Sequence, residues 1–246
     1  MKNTLLIMNY KLKISKKTLN DRYRTCLEII NYLNKIDSFS KKSVLDFGSG
    51  EGFFIKKISP LFKNAIGYEP TLSKELKNGN LKLVNSFDKI QKNKYKLITS
   101  TAVFEHLHNP GFILSQLNKT LFNKGYFLIA IPNPGNLQNF GSLLLRPNLK
   151  KSLTKRSTRI LKSYSKESHH IHFWDHNHIV NLFASCGFKL LDFHPAEKCP
   201  LPFFKLKKFF PFLPDYINLP KPLNRLSYSN VFLFQKVENC NISIYD

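Results

Sequence analysis

The run Asp46-Phe47-Gly48-Ser49-Gly50-Glu51-Gly52 constrains the fold of this chain more than any other. It follows Ser43-Val44-Leu45, a short β-branched and aliphatic stretch, and precedes Phe53-Phe54-Ile55-Lys56-Lys57-Ile58, which reads as the first turns of a helix. Strand, glycine loop and helix start, in that order, are where an α/β sheet opens to hold a nucleotide-like ligand. Glycine adopts backbone angles that a side chain forbids and lets a ligand lie against the main chain. The spacing narrows the ligand. A dinucleotide fingerprint needs G-x-G-x-x-G, but the glycines fall at 48, 50 and 52 and position 53 is Phe. The Gly-Lys-Ser/Thr ending of a P-loop is also missing.

A second strand with an acid at its end follows, Ala65-Ile66-Gly67-Tyr68-Glu69-Pro70. Glu69 lies 17 residues past Gly52, near the spacing at which a second-strand acid accepts hydrogen bonds from a ribose diol. Alone, Glu69 reads as a solvated strand-end acid and the loop as a glycine-rich turn. Together they read as a ligand site.

The acid-tipped D-x-G-x-G-x-G pattern resembles motif I of the class I S-adenosylmethionine (SAM)-dependent methyltransferases. SAM has no pyrophosphate for a loop to cradle, but its sulfonium and ammonium are favoured by a carboxylate such as Asp46. The resemblance covers roughly residues 20–132 and 172–237. It implies a doubly wound, mostly parallel seven-stranded α/β sheet of Rossmann-like type. Strands are expected near 43–47, 65–69, 81–84, 96–100 and 126–131, with helices near 52–59, 71–77 and 110–122 between them. The gap from Asn85 to Tyr95 is too short for a full helix, so the third crossover is degenerate. An amphipathic helix from Asn20 to Leu33 precedes the first strand. Asp175 caps a further helix that Gly187 ends in a left-handed conformation. Lys189–Phe193 and Tyr228–Gln235 supply the last two strands, an antiparallel pair at one edge in this family. The chain reads as one domain over 1–246, with a helical extension over about 1–40. Two insertions, about 136–168 and 195–226, form a substrate cap.

The resemblance also distributes roles. Asp46, Gly48, Ser49, Gly50, Gly52 and Glu69 would bind the cofactor, with Ser86 and Phe87 beside the adenine and Thr101 at the end of the fourth strand. The family often has an Asp just before that strand; here Lys96 stands there. The following Ala102-Val103-Phe104-Glu105-His106-Leu107-His108-Asn109-Pro110 resembles the subgroup of ubiquinone-pathway and sugar or natural-product O-methyltransferases. It lies at the carboxyl end of a central strand and should face the methyl group. His106 has a suitable pKa to take a proton from a hydroxyl nucleophile. Glu105 and His106 read equally as a cap on the next helix. In the quinone enzymes a second acid three residues before the Glu helps bind a divalent metal; that position is Ala102 here, so no metal is expected. His169, His170 and His172 are too close in sequence to converge on one ion in regular structure. The resemblance places one of His170 or His172 in the substrate pocket.

Composition bounds the rest. With 246 residues and 42% hydrophobic content the chain can bury a full core. It has no run of about 18 apolar residues and too short an apolar start for a signal peptide. Cys26, Cys186, Cys199 and Cys240 form no C-x-x-C, which points away from a zinc or disulfide framework and toward a reducing cytoplasm. A net charge of +22 favours anionic partners. Lysine and asparagine abound nearly everywhere, so drift toward AT-rich coding explains the charge as well. The aromatic, basic, proline-punctuated stretch Leu201–Leu213 reads as a lid, a packed insertion or a contact with the inner face of an anionic membrane. The expected activity is methyl transfer to a small-molecule, glycan or lipid-linked acceptor, at oxygen, since a hydroxyl suits a histidine base. The rivals are an RNA methyltransferase and a non-catalytic SAM-binding protein. Against RNA stand the missing Asn/Asp-Pro-Pro-Tyr/Phe tetrad and the lack of an RNA-binding module. The oligomeric state has no sequence signature.

Overall fold

Alternating β-rich and helical runs build one eight-stranded sheet in the computed structural model. The structure describes residues 21–92, 94–136, 139, 154–158, 170–196, 199–200, 216–217 and 220–240. The strands are β1 (Ser43–Phe47), β2 (Asn64–Tyr68), β3 (Leu76–Asn78), β4 (Leu81–Val84), β5 (Tyr95–Thr101), β6 (Leu121–Pro132), β7 (Phe188–Ala196), β8 (Cys199–Pro200), β9 (Tyr216–Ile217) and β10 (Ser229–Lys236). The helices are α1 (Asp21–Ile36), α2 (Phe53–Ile58), α3 (Pro110–Thr120) and α4 (His176–Ser185). The sheet order is β3-β4-β2-β1-β5-β6-β10-β7. The five strands from β4 to β6 run parallel, and β10 lies antiparallel between β6 and β7. The expected antiparallel pair therefore sits at one edge. Strands β8 and β9 form a separate two-stranded ladder.

Side chains alternate between the two faces of each strand. Val44, Ala65, Leu97 and Leu128 join one core with α1 and α2. Leu45, Ile98, Phe127 and Ile129 join the other with α3 and α4. Parallel strands covered on both faces need apolar residues at consecutive positions, and β1 is buried throughout. In α1, Cys26, Ile29, Ile30 and Leu33 fall at helical spacing and are all buried. The end of α1 is tied to the sheet by Lys96, whose Nζ lies 2.6 Å from Asp37 Oδ2 and over the Tyr126 ring. That contact gives the departure at position 96 a structural role.

The expected helix over 71–77 does not form. A turn leads instead into β3, which pairs with β4 as a hairpin around Gly79 at φ 56°. Asn78-Gly79 is a strong hairpin signal, and seven residues nucleate a helix poorly. Asn85 fixes the turn by donating to the Leu72 carbonyl. This hairpin makes the sheet eight-stranded. The third crossover is degenerate as expected, with only a 3-10 turn at Phe87–Lys89.

Asn118 ties the end of α3 to the chain's C-terminal part. Its Nδ2 donates to the carbonyls of Cys186 and Glu238, and its Oδ1 accepts from the Cys240 amide. The Lys236 ammonium, buried beside it, donates to the Asn118 and Leu121 carbonyls, a favoured place for a cation at a helix C-terminus. Asn118→Ala strands three backbone groups, and urea denaturation is expected to show a loss of about 2–4 kcal/mol.

Most of the two expected insertions lies outside the described residues, as do residues 1–20 and 201–213. Among the described residues no helix is long and apolar enough to cross a membrane.

Candidate active site

Strand order reverses at β1, which lies between β2 and β5. Loops leaving β1 and β5 diverge there and open a crevice at the carboxyl ends of the strands. The β1 loop is held by backbone bonds: Gly48 and Ser49 amides donate to the Tyr68 carbonyl at 2.8 and 2.9 Å, and Gly52 donates to Ser49 at 2.9 Å. Gly48, Gly50 and Gly52 have φ of 77°, 52° and 80°, angles that L side chains resist. A Cβ on Gly48 would also collide with Val103 of the β5 loop, whereas one on Gly50 would meet nothing within 4 Å. The two loops thus pack through Gly48, while Gly50 faces open space.

Glu69 reaches back to that loop. Its Oε2 accepts from the Gly50 amide at 3.1 Å, and its Oε1 accepts from the Thr71 amide and hydroxyl at 3.1 and 2.6 Å. These bonds fix the carboxylate while its remaining lone pairs stay available. Phe87 packs edge-on against Phe47 and Tyr68, which stack on each other at 5.3 Å. The ends of β1 and β2 thereby carry an aromatic surface next to Glu69. Ser86 is half-buried, with its hydroxyl 3.5 Å from Asp88 Oδ2. Ser49 turns its hydroxyl over Gly67, where it has no hydrogen-bond partner among the described residues.

Asp46 lies beneath the loop. It is 3% exposed, and Thr99 Oγ1 donates to its Oδ1 at 2.7 Å. The sequence assigns this carboxyl to a ligand's cationic groups, and the structure buries it beneath the loop against Thr99. Burial pushes its pKa up to about 7, against the opposing Thr99 bond. The folded protein therefore holds a proton that the unfolded chain releases near pH 4. The associated stability is complete below about pH 4 and is lost as pH rises through about 7. Asp46→Asn keeps the acceptor for Thr99 and is expected to remove that decline. Urea denaturation from pH 4 to 8 checks it, and parallel curves for the two proteins would refute it.

Beyond β5, Ala102 takes a left-handed φ of 57° and donates its amide to the Ala130 carbonyl at 2.8 Å. A non-glycine residue there marks a constrained turn. Half-buried Thr101 ends the strand just before it. The turn delivers Glu105 and His106 into a 3-10 segment. Neither caps α3: Asn109 does, accepting from the Phe112 amide at 3.1 Å, with Pro110 in the first helical position. Glu105 is 1% exposed. Burial raises its carboxyl pKa, opposed first by a hydrogen bond from its own backbone amide and then by His106 and Arg22.

The segment before α4 joins this loop. Ile171 and His172 amides both donate to the Glu105 carbonyl, at 2.7 and 3.1 Å. That clamp sets the His170 ring edge-on to His106, 4.8 Å between centroids. His170 is held below its ordinary pKa, first by burial and then by the charges of His106, Arg156 and Arg22. The His172 ring lies instead beside Trp174, at 5.1 Å. Of the two histidines, His170 is the one brought to Glu105 and His106. Thr99, Arg22 and Val103 also belong to the site and were not anticipated. Arg22 carries no local signal, lying on a different helix 83 residues before Glu105.

A methyltransferase-domain family profile matches residues 19–192. Solved structures of similar fold include the MccD protein, 14% identical over 84% of this chain and 95% of that one, with a TM-score of 0.54. A SAM-dependent methyltransferase from Mesorhizobium loti is 12% identical over 84% of this chain and 96% of that chain, with a TM-score of 0.52. The magnesium protoporphyrin IX methyltransferase of Synechocystis PCC 6803, with S-adenosylhomocysteine bound, is 10% identical over 96% and 94%, with a TM-score of 0.51. None of the curated proteins searched matches this sequence.

Proposed function

We propose that this chain, which belongs to the methyltransferase-domain family, uses SAM and transfers its methyl group to an oxygen of a small-molecule, sugar or lipid-linked acceptor. The observation that carries this reading is the packing of the glycine loop, with Glu69 at its edge, directly against the loop that bears Glu105 and His106. The residues fit the cofactor. Gly50 leaves open space beside its backbone, and the fixed Glu69 carboxylate adjoins the aromatic surface of Phe47, Tyr68 and Phe87.

When bound, SAM supplies a methyl group already activated by its sulfonium. Glu69 holds the ribose hydroxyls, and Phe87 with Ser86 borders the adenine. Gly48 and Gly52 shape the loop, Ser49 braces it on β2, and Thr101 ends β5 at the crevice floor. Asp46 acts from below by tying β1 to β5 through Thr99. His106 and His170 face the acceptor, where a neutral imidazole takes the hydroxyl proton as the new bond forms. Glu105 stabilises the imidazolium. Much of the rate comes from alignment, since the leaving group needs little help.

Radiolabelled SAM, screened against hydroxyl-bearing acceptors, tests the reading. His106→Ala is expected to lower turnover by roughly 10²–10⁴-fold while leaving calorimetric SAM affinity unchanged. Label transfer unaffected by this change would remove His106 from the chemistry. The net charge of +22 favours RNA as a second acceptor class, for which labelled RNA product and salt-sensitive binding must appear together. SAM binding with no acceptor found across broad extracts would favour a non-catalytic role. The proposed setting is the cytoplasm. Salt-sensitive sedimentation with anionic liposomes tests a membrane contact through 201–213.

A further inference from the structure

A parallel sheet normally carries helices on both faces. Between β4 and β5 this chain has only the 3-10 turn Phe87–Lys89, and the missing cover shows on the neighbouring strands. On β2, Ala65 and Gly67 are buried toward one face, while on the other Asn64 is exposed and Ile66 and Tyr68 are half-buried. A cleft of about 690 Å³ opens there, between the β3–β4 hairpin and the segment that leads into β5. That volume lies within the roughly 300–1,000 Å³ of small-molecule sites. The cleft extends to Ser43, Asn64 and Tyr95 at the amino ends of β1, β2 and β5, whereas the glycine loop lies at the carboxyl end.

The charge of the cleft is one-sided. Lys77, Lys82, Lys89 and Lys94 line it, against the single acid Glu75. Glu75 is committed to Lys89, whose Nζ lies 2.6 Å from its Oε2. Lys77 and Lys82 are direct register partners in the β3–β4 hairpin, so their side chains stand together on one face. Like charges directly opposite across two strands are destabilising. Among the described residues neither lysine has an ion pair. An anion bound between them removes the repulsion. On the next strand, Ile66 lies beside Lys82. The row therefore sets two cations next to an apolar floor, with Asn64 and Gln91 at the rim.

We propose that this cleft binds a nucleoside di- or triphosphate, with its phosphates on Lys77 and Lys82 and its base over Ile66. Two adjacent ammonium groups match two linked phosphates. The apolar floor suits a planar ring, and the amide side chains suit the heteroatoms at its edge. A second copy of this chain carries the same net charge of +22 and is repelled. A recess also favours a discrete ligand over a flat membrane surface. The site is separate from the methyl-transfer crevice and needs nothing from that reading.

Full-length protein, with and without saturating S-adenosylhomocysteine, is titrated with N-methylanthraniloyl-GDP and followed by fluorescence anisotropy. Saturable binding is expected in both conditions, displaced by GDP and GTP but not by guanosine. Lys77→Ala and Lys82→Ala should each weaken it roughly 10-fold, and the double variant roughly 100-fold. Lys189→Ala removes the same charge from β7 at the far edge of the sheet and should leave binding unchanged. GDP should raise the Tm of the wild type and not that of the double variant. No saturable binding, full binding by the double variant, or an equal loss in Lys189→Ala overturns the proposal. Displacement of the probe by S-adenosylhomocysteine places it in the crevice and overturns the proposal too. Displacement by single-stranded RNA oligonucleotides but not by GDP assigns the lysines to RNA instead.

Discussion

Gly48→Ala is expected to cost about 3 kcal/mol of stability and to abolish detectable SAM binding. Its φ of 77° costs an alanine roughly 1–2 kcal/mol. The added Cβ must also displace Val103, and forcing a methyl into a packed contact costs about 1–3 kcal/mol more. Because Val103 leads directly into Glu105 and His106, the displacement reaches both halves of the crevice. Gly50→Ala is the control. It carries the backbone cost at a φ of 52° but meets nothing within 4 Å. It should lose only about 1 kcal/mol, yet still weaken SAM, because its new methyl occupies the space beside the loop. Urea denaturation and calorimetry on the two variants give a direct contrast. Equal stability of Gly48→Ala and wild type would show that the β1 and β5 loops do not pack as described.

Glu69→Ala is expected to weaken SAM and S-adenosylhomocysteine alike, by roughly 10²–10⁴-fold. Hydrogen bonds to a charged acceptor contribute about 1.5–3 kcal/mol each, and two ribose hydroxyls would lose theirs. The variant also takes away the acceptor for the Gly50 amide and both bonds to Thr71, which loosens the loop edge. Those groups are exposed, so water replaces the acceptor and stability should fall by less than about 1 kcal/mol. Both ligands carry the same ribose, so a loss confined to SAM would show that Glu69 senses the sulfonium instead. Unchanged binding of both would remove Glu69 from the cofactor site.

The elements legible in the sequence are those with strong local causes. Strand β1 and its loop follow from an apolar run that meets closely spaced glycines. The cap on α4 is Asp175, which accepts from the His178 amide, and its end is Gly187 at φ 80°. Both follow from single residues whose chemistry favours those positions. The misread segment, 71–77, has helix-permissive residues but is decided by Asn78-Gly79 and by pairing with β4. There a turn signal and a neighbouring strand outweigh weak propensity.

The site divides the same way. The glycine loop, Glu69 and the Glu105-His106 pair are readable because each is contiguous and lies at a strand end. The burial of Asp46 against Thr99, 53 residues away, is not, because its environment is set by α1 and β5 together. The choice of His170 over His172 is not readable either: the two are two residues apart, and backbone bonds to Glu105 decide which ring meets His106. The class of fold and the family were legible in the residues alone, since these depend on local backbone requirements and short-range patterns. Which charges are buried, and which histidine joins the carboxylate, follow from the assembled fold, because burial and electrostatic proximity arise between segments that the chain order keeps far apart.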